Sequence, residues 1–200
     1  MSLTKGSSNY GYIASYAKNI ITPENQESIF VDVNNYVFYF NGTSWYLMGY
    51  VGEEEVLTLP ETYNEENYLL NSYCFCGRTD IKSIVFPNTI TTIPVFCCAR
   101  SLGLETIEVP EWITKIENQA FAYNYNLKTL IYKAKNLTSS GSDIFSGCGS
   151  FGNGVDVTIT ESVEVFPGSL FGTQSNNTSK LKTLNIVKPK GLTINSSCFG

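Results

Sequence analysis

The sequence contains no histidine, few basic residues and no long apolar run. Without histidine, the commonest general base is missing, and Ser-His-Asp and Cys-His catalytic arrangements are excluded. Only 13 of the 200 residues are lysine or arginine, against 18 acidic residues, and the net charge of -5 argues against binding of nucleic acid, which depends on phosphate neutralisation. No stretch approaches the roughly 20 apolar residues of a membrane-spanning helix. We therefore expect neither nucleic-acid binding nor membrane insertion of these 200 residues.

Recognisable catalytic motifs are also missing. The glycine-rich segment GCGSFGNG at 147–154 lacks the lysine of a phosphate-binding loop and the flanking strand and helix of a dinucleotide-binding unit. Glu105 and Glu108 are close in sequence, but their neighbours are basic or aliphatic and no pocket for a glycoside is evident. We predict that the protein is not an enzyme and has no catalytic residues, metal ligands or cofactor.

A 23-residue repeat is the dominant pattern of the chain. The segment IKSIVFPNTITTIPVFCCARSLG from Ile81 is followed directly by LETIEVPEWITKIENQAFAYNYN, and Leu127 begins the pattern again. A fixed period of this length is typical of a solenoid, in which each unit buries its apolar face by stacking on its neighbours. Two later intervals lengthen to 27 residues, and we interpret the polar stretches TSSGSDIFSGCGSFGNG and GTQSNNTSK as the inserted loops.

Each unit has a strand-like core followed by a small residue and then a large apolar residue. We predict strand cores at Leu57, Ile84, Ile107, Leu130, Val157 and Leu184. We assign the small position to Cys74, Cys97, Ala120, Ile144, Ser169 and Cys198. We assign the large position to Phe75, Cys98, Phe121, Phe145, Leu170 and Phe199.

The strand segments SIVF, TIEV and TLIY alternate with period two, so the central residue of each points inward and its two neighbours point outward. The outward hydroxyl groups are compatible with a merely solvated β surface, but Val85 and Ile131 among polar residues favour a binding face. The outward columns also contain Asp156. Our candidate binding residues are Ser83, Val85, Thr106, Glu108, Thr129, Ile131, Thr158, Thr183 and Asn185.

The units resemble a known repeat family. The segment LETIEVPEWITKIENQAFAYNYNL and the ending DIFSGC at 143–148 are similar to the BspA-type leucine-rich repeats of bacterial and protozoan surface proteins. The resemblance covers roughly residues 56–200. It implies a right-handed leucine-rich repeat solenoid with one short parallel strand in each unit of about 23 residues. It also implies an extracellular or cell-surface location and a protein-binding or adhesive role.

Residues 1–55 do not fit the repeat. Residues 1–9 are polar and have the composition of a leader or a disordered terminus. Within residues 10–55, the segments SIFVDV, YVFYF and WYLMGYV are separated by turn signals and predict a small β meander, with the last two strands as a hairpin. We expect this meander to cover the open end of the solenoid, because an uncovered end exposes a strand edge and an apolar cross-section. The solenoid itself is predicted over residues 56–200, with about six units, the last one truncated.

Acidic residues are concentrated in the segment that joins the meander to the solenoid. The cluster lacks the alternating oxygen ligands and the glycine of a calcium loop, so we predict a solvated rim rather than a metal site. The acids are Glu53, Glu54, Glu55, Glu61, Glu65 and Glu66.

The six cysteines fit the packing positions of the repeat better than a metal site. Their pairs lack the C-x₂-C spacing of structural zinc sites, and free cysteine packs as a small buried hydrophobe. Stacking of units would bring Cys74 near Cys97, which permits a disulfide in an extracellular protein without requiring one. The six are Cys74, Cys76, Cys97, Cys98, Cys148 and Cys198.

Together these features favour a non-enzymatic protein-binding or adhesion module of a cell-surface protein, with a host extracellular protein as the candidate partner. One alternative is a structural spacer that presents other domains. Another is carbohydrate binding through the aromatic N-terminal strands. Their aromatic residues are Tyr36, Phe38, Phe40, Trp45 and Tyr46. The sequence leaves the oligomeric state open.

Overall fold

The computed structural model describes residues 29–137, 139–171, 179–187, 191–196 and 198. The predicted leader at 1–9 lies outside this part of the chain. The described residues form fifteen β-strands and no α-helix. The strands are β1 (Ile29–Val31), β2 (Tyr36–Phe40), β3 (Trp45–Tyr50), β4 (Val56–Thr58), β5 (Tyr68–Leu70), β6 (Ser83–Val85), β7 (Thr92–Ile93), β8 (Thr106–Val109), β9 (Lys115–Ile116), β10 (Thr129–Tyr132), β11 (Ser139–Ser140), β12 (Val155–Ile159), β13 (Val165–Phe166), β14 (Leu181–Ile186) and β15 (Thr193–Ile194).

Six successive turns of a solenoid follow β3, and each contains a first strand and a second strand of two or three residues. The first strands are β4, β6, β8, β10, β12 and β14, and the second strands are β5, β7, β9, β11, β13 and β15. First strands of neighbouring turns are parallel and in register, so that Ile107 lies opposite Leu130 and Leu130 opposite Val157. Between β6 and β8 the link consists of hydrogen bonds from the backbone N–H groups of Glu105 and Thr106 to Lys82 O. The predicted solenoid of parallel strands is confirmed, and the structure adds a second short strand to each unit.

The predicted core positions are buried in all turns but the last. Ile84, Ile107, Leu130 and Val157 are each at most 7% exposed. Leu184 was predicted to belong to the core, and this is wrong, because its side chain is 42% exposed. It lies on β14, which pairs with β12 on one side and with no described strand on the other.

A tight turn segment closes each of the first five solenoid turns after the second strand. It begins with a residue in the left-handed region, and these residues are Tyr73 (φ 64°), Phe96 (φ 52°), Gln119 (φ 54°), Asp143 (φ 55°) and Ser169 (φ 56°). None is glycine, although this conformation is unfavourable for residues with a Cβ atom. Backbone hydrogen bonds between neighbouring segments hold it, such as Cys98 N to Ala120 O at 2.8 Å and Phe121 N to Ile144 O at 3.0 Å.

These hydrogen bonds also correct the register of the fifth turn. Sequence assigned Ser169 to the small position and Leu170 to the large one. In the structure Ser169 matches Asp143 in its left-handed conformation, and Phe145 N donates to Leu170 O as Phe121 N does to Ile144 O. Leu170 therefore occupies the small position and Phe171 the large one, and both are buried while Ser169 is exposed.

Phenylalanine rings stack along the large position from the third turn onward. The centroids of Phe121 and Phe145 are 5.5 Å apart, as are those of Phe145 and Phe171. Cys98 interrupts this column. Beside it, Phe86 makes an edge contact with Phe121, with centroids 6.5 Å apart. Phe86, which follows β6, thus occupies space in the core that Cys98 leaves because it is smaller than phenylalanine.

The first predicted insertion is shorter than its polar composition indicated. Ser139–Ser140 is the regular second strand β11, paired with Lys115–Ile116 of β9. The following turn segment places Ile144 and Phe145 in the core. Only the residues after Cys148 form an added surface loop, in which Phe151 N donates to Tyr125 O. Most of the second predicted insertion, GTQSNNTSK, lies outside the described residues.

Two buried polar side chains connect three consecutive turn segments. Ser101 and Asn124 are at most 1% exposed. The Asn124 side chain accepts a hydrogen bond from Ser101 N at 2.8 Å and donates to Cys98 O at 3.0 Å and to Phe121 O at 2.7 Å. Ser101 Oγ donates to Phe75 O at 2.6 Å. Buried backbone groups that the turn leaves without backbone partners are satisfied in this way.

We expect Asn124→Ala to lower the free energy of unfolding by about 3 kcal/mol, because three buried backbone groups would lose their partner. Asn126→Ala is the matched control: its side chain also donates to a backbone carbonyl, Leu102 O at 2.9 Å, but at an exposed position. We expect its cost to stay below about 1 kcal/mol. Urea denaturation of both variants measures the difference, and equal costs would contradict the assigned role of Asn124.

The predicted meander is present and joins the solenoid through its second strands. Strands β1, β2 and β3 are antiparallel neighbours, with β2 and β3 forming the expected hairpin, and β3 runs parallel to β5. Its inward side chains Tyr36, Phe38 and Leu47 belong to the same core as the repeats. Tyr36 Oη donates to Thr58 O at 2.8 Å. The meander thus covers the apolar cross-section, but it pairs with β5, and no described strand lies along the outer edge of β4.

A buried arginine ties the meander to the first turn segment. Arg78 is 4% exposed, and its Nη1 donates to Tyr50 O on β3 at 2.6 Å. Its Nε and Nη2 make a two-point contact with the carboxylate of Asp80, at 2.9 and 2.7 Å. The carboxylate of Asp80 neutralises the buried guanidinium, and Tyr50 O accepts a hydrogen bond from Nη1, which Asp80 does not bind.

We expect Arg78→Met to lower the free energy of unfolding by about 2–3 kcal/mol, since it removes three hydrogen bonds to a charged group and leaves Tyr50 O buried without this donor. Arg100→Met serves as the control. Arg100 is exposed and lies over the Tyr123 ring, 5.2 Å from its centroid, a contact worth less than about 1 kcal/mol. Thermal unfolding compares the two, and a similar loss of stability in both would contradict the linking role of Arg78.

Candidate functional site

The predicted outward residues lie on one continuous surface, which we call the strand face. Register places Thr129 between Thr106 and Asp156, and Ile131 between Glu108 and Thr158. In the last turn Thr183 follows Asp156, and Asn185 follows Thr158. At the other end, Val56 lies opposite Ser83 and Thr58 opposite Val85. The strand face therefore comprises Val56, Thr58, Ser83, Val85, Thr106, Glu108, Thr129, Ile131, Asp156, Thr158, Thr183 and Asn185.

Val56 and Thr58 were missed as candidates from sequence. They flank the core residue Leu57 as Ser83 and Val85 flank Ile84, so the repeat register alone was sufficient to find them. Val56 is 59% exposed and Val85 51%, whereas Ile131 is only partly exposed. The apolar part of the strand face is thus concentrated in the first two turns.

Carboxylates on and beside the strand face are paired with lysines. Lys133 Nζ lies 2.7 Å from Glu108 Oε1, and Lys182 Nζ lies 2.8 Å from Asp156 Oδ2. Thr183 Oγ1 donates to the other Asp156 oxygen at 2.6 Å. The hydrogen bond from Lys182 is the main cause that lowers the pKa of Asp156. The strand face is therefore electrically balanced in its last turns.

A row of charges borders the strand face where the first strands begin. Glu105 lies between Lys128 at 2.6 Å and Lys82 at 3.6 Å, and the hydrogen bond from Lys128 is the main cause that lowers its pKa. The hydroxyl groups of Thr106 and Thr129, next to this row, make no hydrogen bond to a described residue. They remain available to a ligand.

All six cysteines are buried, and no disulfide joins them in the described part of the chain. The Sγ atoms of Cys74 and Cys97 are 3.5 Å apart, and those of Cys97 and Cys98 are 3.6 Å apart. Burial raises the pKa of the Cys74 and Cys98 thiols well above the usual range. Burial acts on Cys97 in the same direction, but hydrogen bonds from its two neighbours outweigh it and lower the pKa. Within the described residues, no group of three or more histidine, cysteine, aspartate or glutamate side chains is arranged to hold a metal ion.

We expect six thiols to react with a chromogenic disulfide reagent in denaturant, without prior reduction, and none to react rapidly in the native protein. The physical reason is that every cysteine is at most 6% exposed, so labelling requires opening of the core. A count below six in denaturant would contradict the absence of disulfides and would point first to a bond between Cys74 and Cys97.

The N-terminal aromatic rings offer little surface for stacking a sugar. Tyr36, Phe38 and Trp45 are at most 9% exposed. Tyr63 stacks on Phe38 with centroids 3.9 Å apart and meets Trp45 edge-on at 4.7 Å. These rings form the hydrophobic core of the meander. The acidic residues of the connecting segment are exposed, as predicted: Glu53, Glu54, Glu55, Glu61, Glu65 and Glu66.

Comparison with protein families gives a match over residues 57–178 to the BspA type leucine-rich repeat region, with six copies. This match covers more than half of the chain. The chain belongs to the BspA-type leucine-rich repeat family. The match extends from β4 through β13 and ends before β14, the first strand of the last turn. No curated protein sequence matches the chain.

Solved structures with the same fold include two bacterial proteins. The pneumococcal vaccine antigen PcpA is 22% identical with a TM-score of 0.56, over 86% of this chain and 38% of PcpA. A leucine-rich repeat protein of T. pallidum is 17% identical with a TM-score of 0.55, over 82% of this chain and 85% of that protein. The chain thus spans well under half the length of PcpA. At these identities the likeness establishes the fold.

The described part of the BspA-type chain is built from strands, turns and loops. It contains no helix of the length and apolar character needed to cross a membrane. The stacked repeats of this family present extended surfaces of the kind that solenoid proteins use for binding.

Proposed function

We propose that this BspA-type solenoid is a non-enzymatic protein-binding module of a cell-surface protein and that it contacts its partner through the strand face. The observation that supports this most is that Val56 and Val85, on the neighbouring strands β4 and β6, are both more than half exposed, while the same face carries the paired threonines Thr106 and Thr129. Exposed apolar groups rimmed by polar groups mark contact sites.

The shape of the strand face favours a macromolecular partner. Neighbouring strands lie about 4.8 Å apart, so six first strands extend over about 24 Å. The side chains stand in straight columns on a regular sheet. A surface of this kind suits broad contact with a protein, whereas small ligands bind in concave pockets that bury most of their surface.

An extracellular or cell-surface location is part of the proposal. This location is supported by membership of the BspA-type family and by the fold that the chain shares with a pneumococcal vaccine antigen. A host extracellular protein is the partner that we propose on this basis. Catalysis has no support from the site, because the strand face combines valines, threonines and paired carboxylates without histidine.

The test is capture of extracellular matrix and serum proteins by the immobilised chain, with identification of captured proteins by mass spectrometry. We expect a captured partner to lose at least tenfold affinity for the double variant Thr106→Arg, Thr129→Arg, because two long charged side chains would cover the centre of the strand face. The change affects partly exposed groups outside the core.

Thr91→Arg, Thr114→Arg is the matched control. These threonines are also exposed and lie in consecutive turns, but outside the strand face, next to the second strands. We expect this variant to bind the partner as the parent chain does. Equal binding by the strand-face variant, with unchanged circular dichroism, would contradict the assignment to this face.

A spacer that presents other domains is the second candidate function. It is favoured by the internal pairing of Glu108 with Lys133 and of Asp156 with Lys182, which occupies charges that a ligand would otherwise use. Failure of the folded chain to capture any protein would support this function over binding.

A further inference from the structure

The outer edge of β4 carries backbone groups without partners. Glu55 O accepts from Lys82 N, and Leu59 N donates to Val85 O, so these residues face β6. Because neighbouring residues of a strand face opposite sides, the backbone groups of Val56 and Thr58 point away from β6. Thr58 O accepts from Tyr36 Oη. Among the described residues, the N–H and C=O of Val56 and the N–H of Thr58 have no hydrogen-bond partner.

An open cleft of about 670 Å³ runs along this edge, between β4 and the segment that connects β1 to β2. Tyr36, Tyr50 and Leu57 line it and are themselves buried in the core. Val33, on the opposite wall, is 95% exposed. The cleft thus combines a preformed floor, a polar strand edge and an opposite wall of Val33, Asn34 and Asn35.

The charge of the cleft has one sign. Its lining contains the carboxylates of Glu54 and Glu61, both exposed, and no lysine or arginine. Glu53 and Glu55 are exposed beside it. A ligand with positive side chains would therefore match this wall, while an acidic one would be repelled.

We propose that the cleft binds an extended, basic peptide segment of a partner protein, which adds a strand to the outer edge of β4. The peptide backbone would accept from Val56 N–H and Thr58 N–H and donate to Val56 C=O, as in other cases of strand addition. Lysine or arginine side chains on the added strand would lie near Glu54 and Glu61. This inference does not rest on the proposed role of the strand face.

The probe is an acetylated and amidated seven-residue peptide of alternating lysine and valine. Backbone amide NMR of the full chain should show the largest shift changes at Val56 and Thr58. Two peptide controls separate the contributions: glutamate in place of lysine, and N-methylation of alternate amides, which blocks strand pairing while it keeps the charge. We expect each change to weaken binding at least tenfold.

Val56→Pro tests the edge itself. Proline removes the outward N–H of Val56 at the first residue of a strand, where it is tolerated. We expect at least a tenfold loss of peptide affinity. Val56→Thr is the matched control, because it keeps the N–H and the β-branched shape, and its affinity should stay within twofold. Thermal unfolding of both variants reports whether they fold.

A charge reversal gives a second test that leaves the backbone unchanged. The double variant Glu54→Lys, Glu61→Lys should bind the glutamate peptide more tightly than the lysine peptide, which is the reverse of the expected order for the parent chain. Glu111→Lys, Glu161→Lys makes the same change in net charge at exposed sites away from the cleft and should keep the original preference. Thr106→Arg, Thr129→Arg should bind the peptide normally, which distinguishes this site from the strand face.

Three results would overturn the proposal. The first is absence of shift changes at Val56 and Thr58. The second is binding that N-methylation or Val56→Pro leaves unchanged. The third is protection of the Val56 and Thr58 amides from hydrogen exchange in the chain without peptide, which would mean that the chain or a second copy already occupies the edge.

Discussion

Hydrogen bonding in register between successive turns is the constraint on which this structure depends. First strands of neighbouring turns pair in the sheets β4-β6 and β8-β10-β12-β14, and hydrogen bonds to Lys82 O link the two sheets. The turn segments form a second ladder, as in Phe121 N to Ile144 O. Residues at equivalent positions therefore become neighbours about 4.8 Å apart. Each apolar residue stacks on the equivalent residue of the next turn, and this stacking forms the core. The same register places Ser101 and Asn124 in contact with neighbouring turns and aligns the outward side chains in columns.

The same ladders explain why unfavourable local conformations persist. Tyr73, Phe96 and Gln119 adopt left-handed backbone angles that glycine would adopt more readily. Each turn segment is held by hydrogen bonds from both neighbours, so the segments cannot relax one at a time. Strain of this kind is maintained when the surrounding structure determines the conformation, and here the surrounding structure is the preceding and following copy of the same segment.

Sequence predicted the strand cores well because the alternation around Ile84, Ile107 and Leu130 uses β-branched and large aliphatic residues at a fixed period. It failed at Ser169 because two registers look alike: Ser-Leu and Leu-Phe both place a larger apolar residue second, and only the hydrogen bond to Leu170 O distinguishes them. It also misjudged Leu184, whose exposure depends on which strands lie beside β14. Information of that kind is not local to the residue.

Local sequence also could not predict which solenoid strand the meander pairs with. This pairing determines which strand edges remain unpaired. Alternation in β2 and β3 predicts a hairpin, but nothing in it selects β5 over β4 as the neighbour of β3. Because β3 pairs with β5, the meander covers the apolar cross-section, and β4 is an edge strand among the described residues.

Edge strands invite pairing between identical copies, and proteins restrict this with short strands and charged neighbours. Strand β4 has three residues and is preceded by Glu53, Glu54 and Glu55. Two copies of a chain with net charge -5 would bring these acids together, so edge-to-edge pairing of this strand is disfavoured. The same charges attract a basic strand. One set of residues thus discourages self-association at this edge and gives it a preference among other ligands, which is how a protein obtains specificity from repulsion as well as attraction.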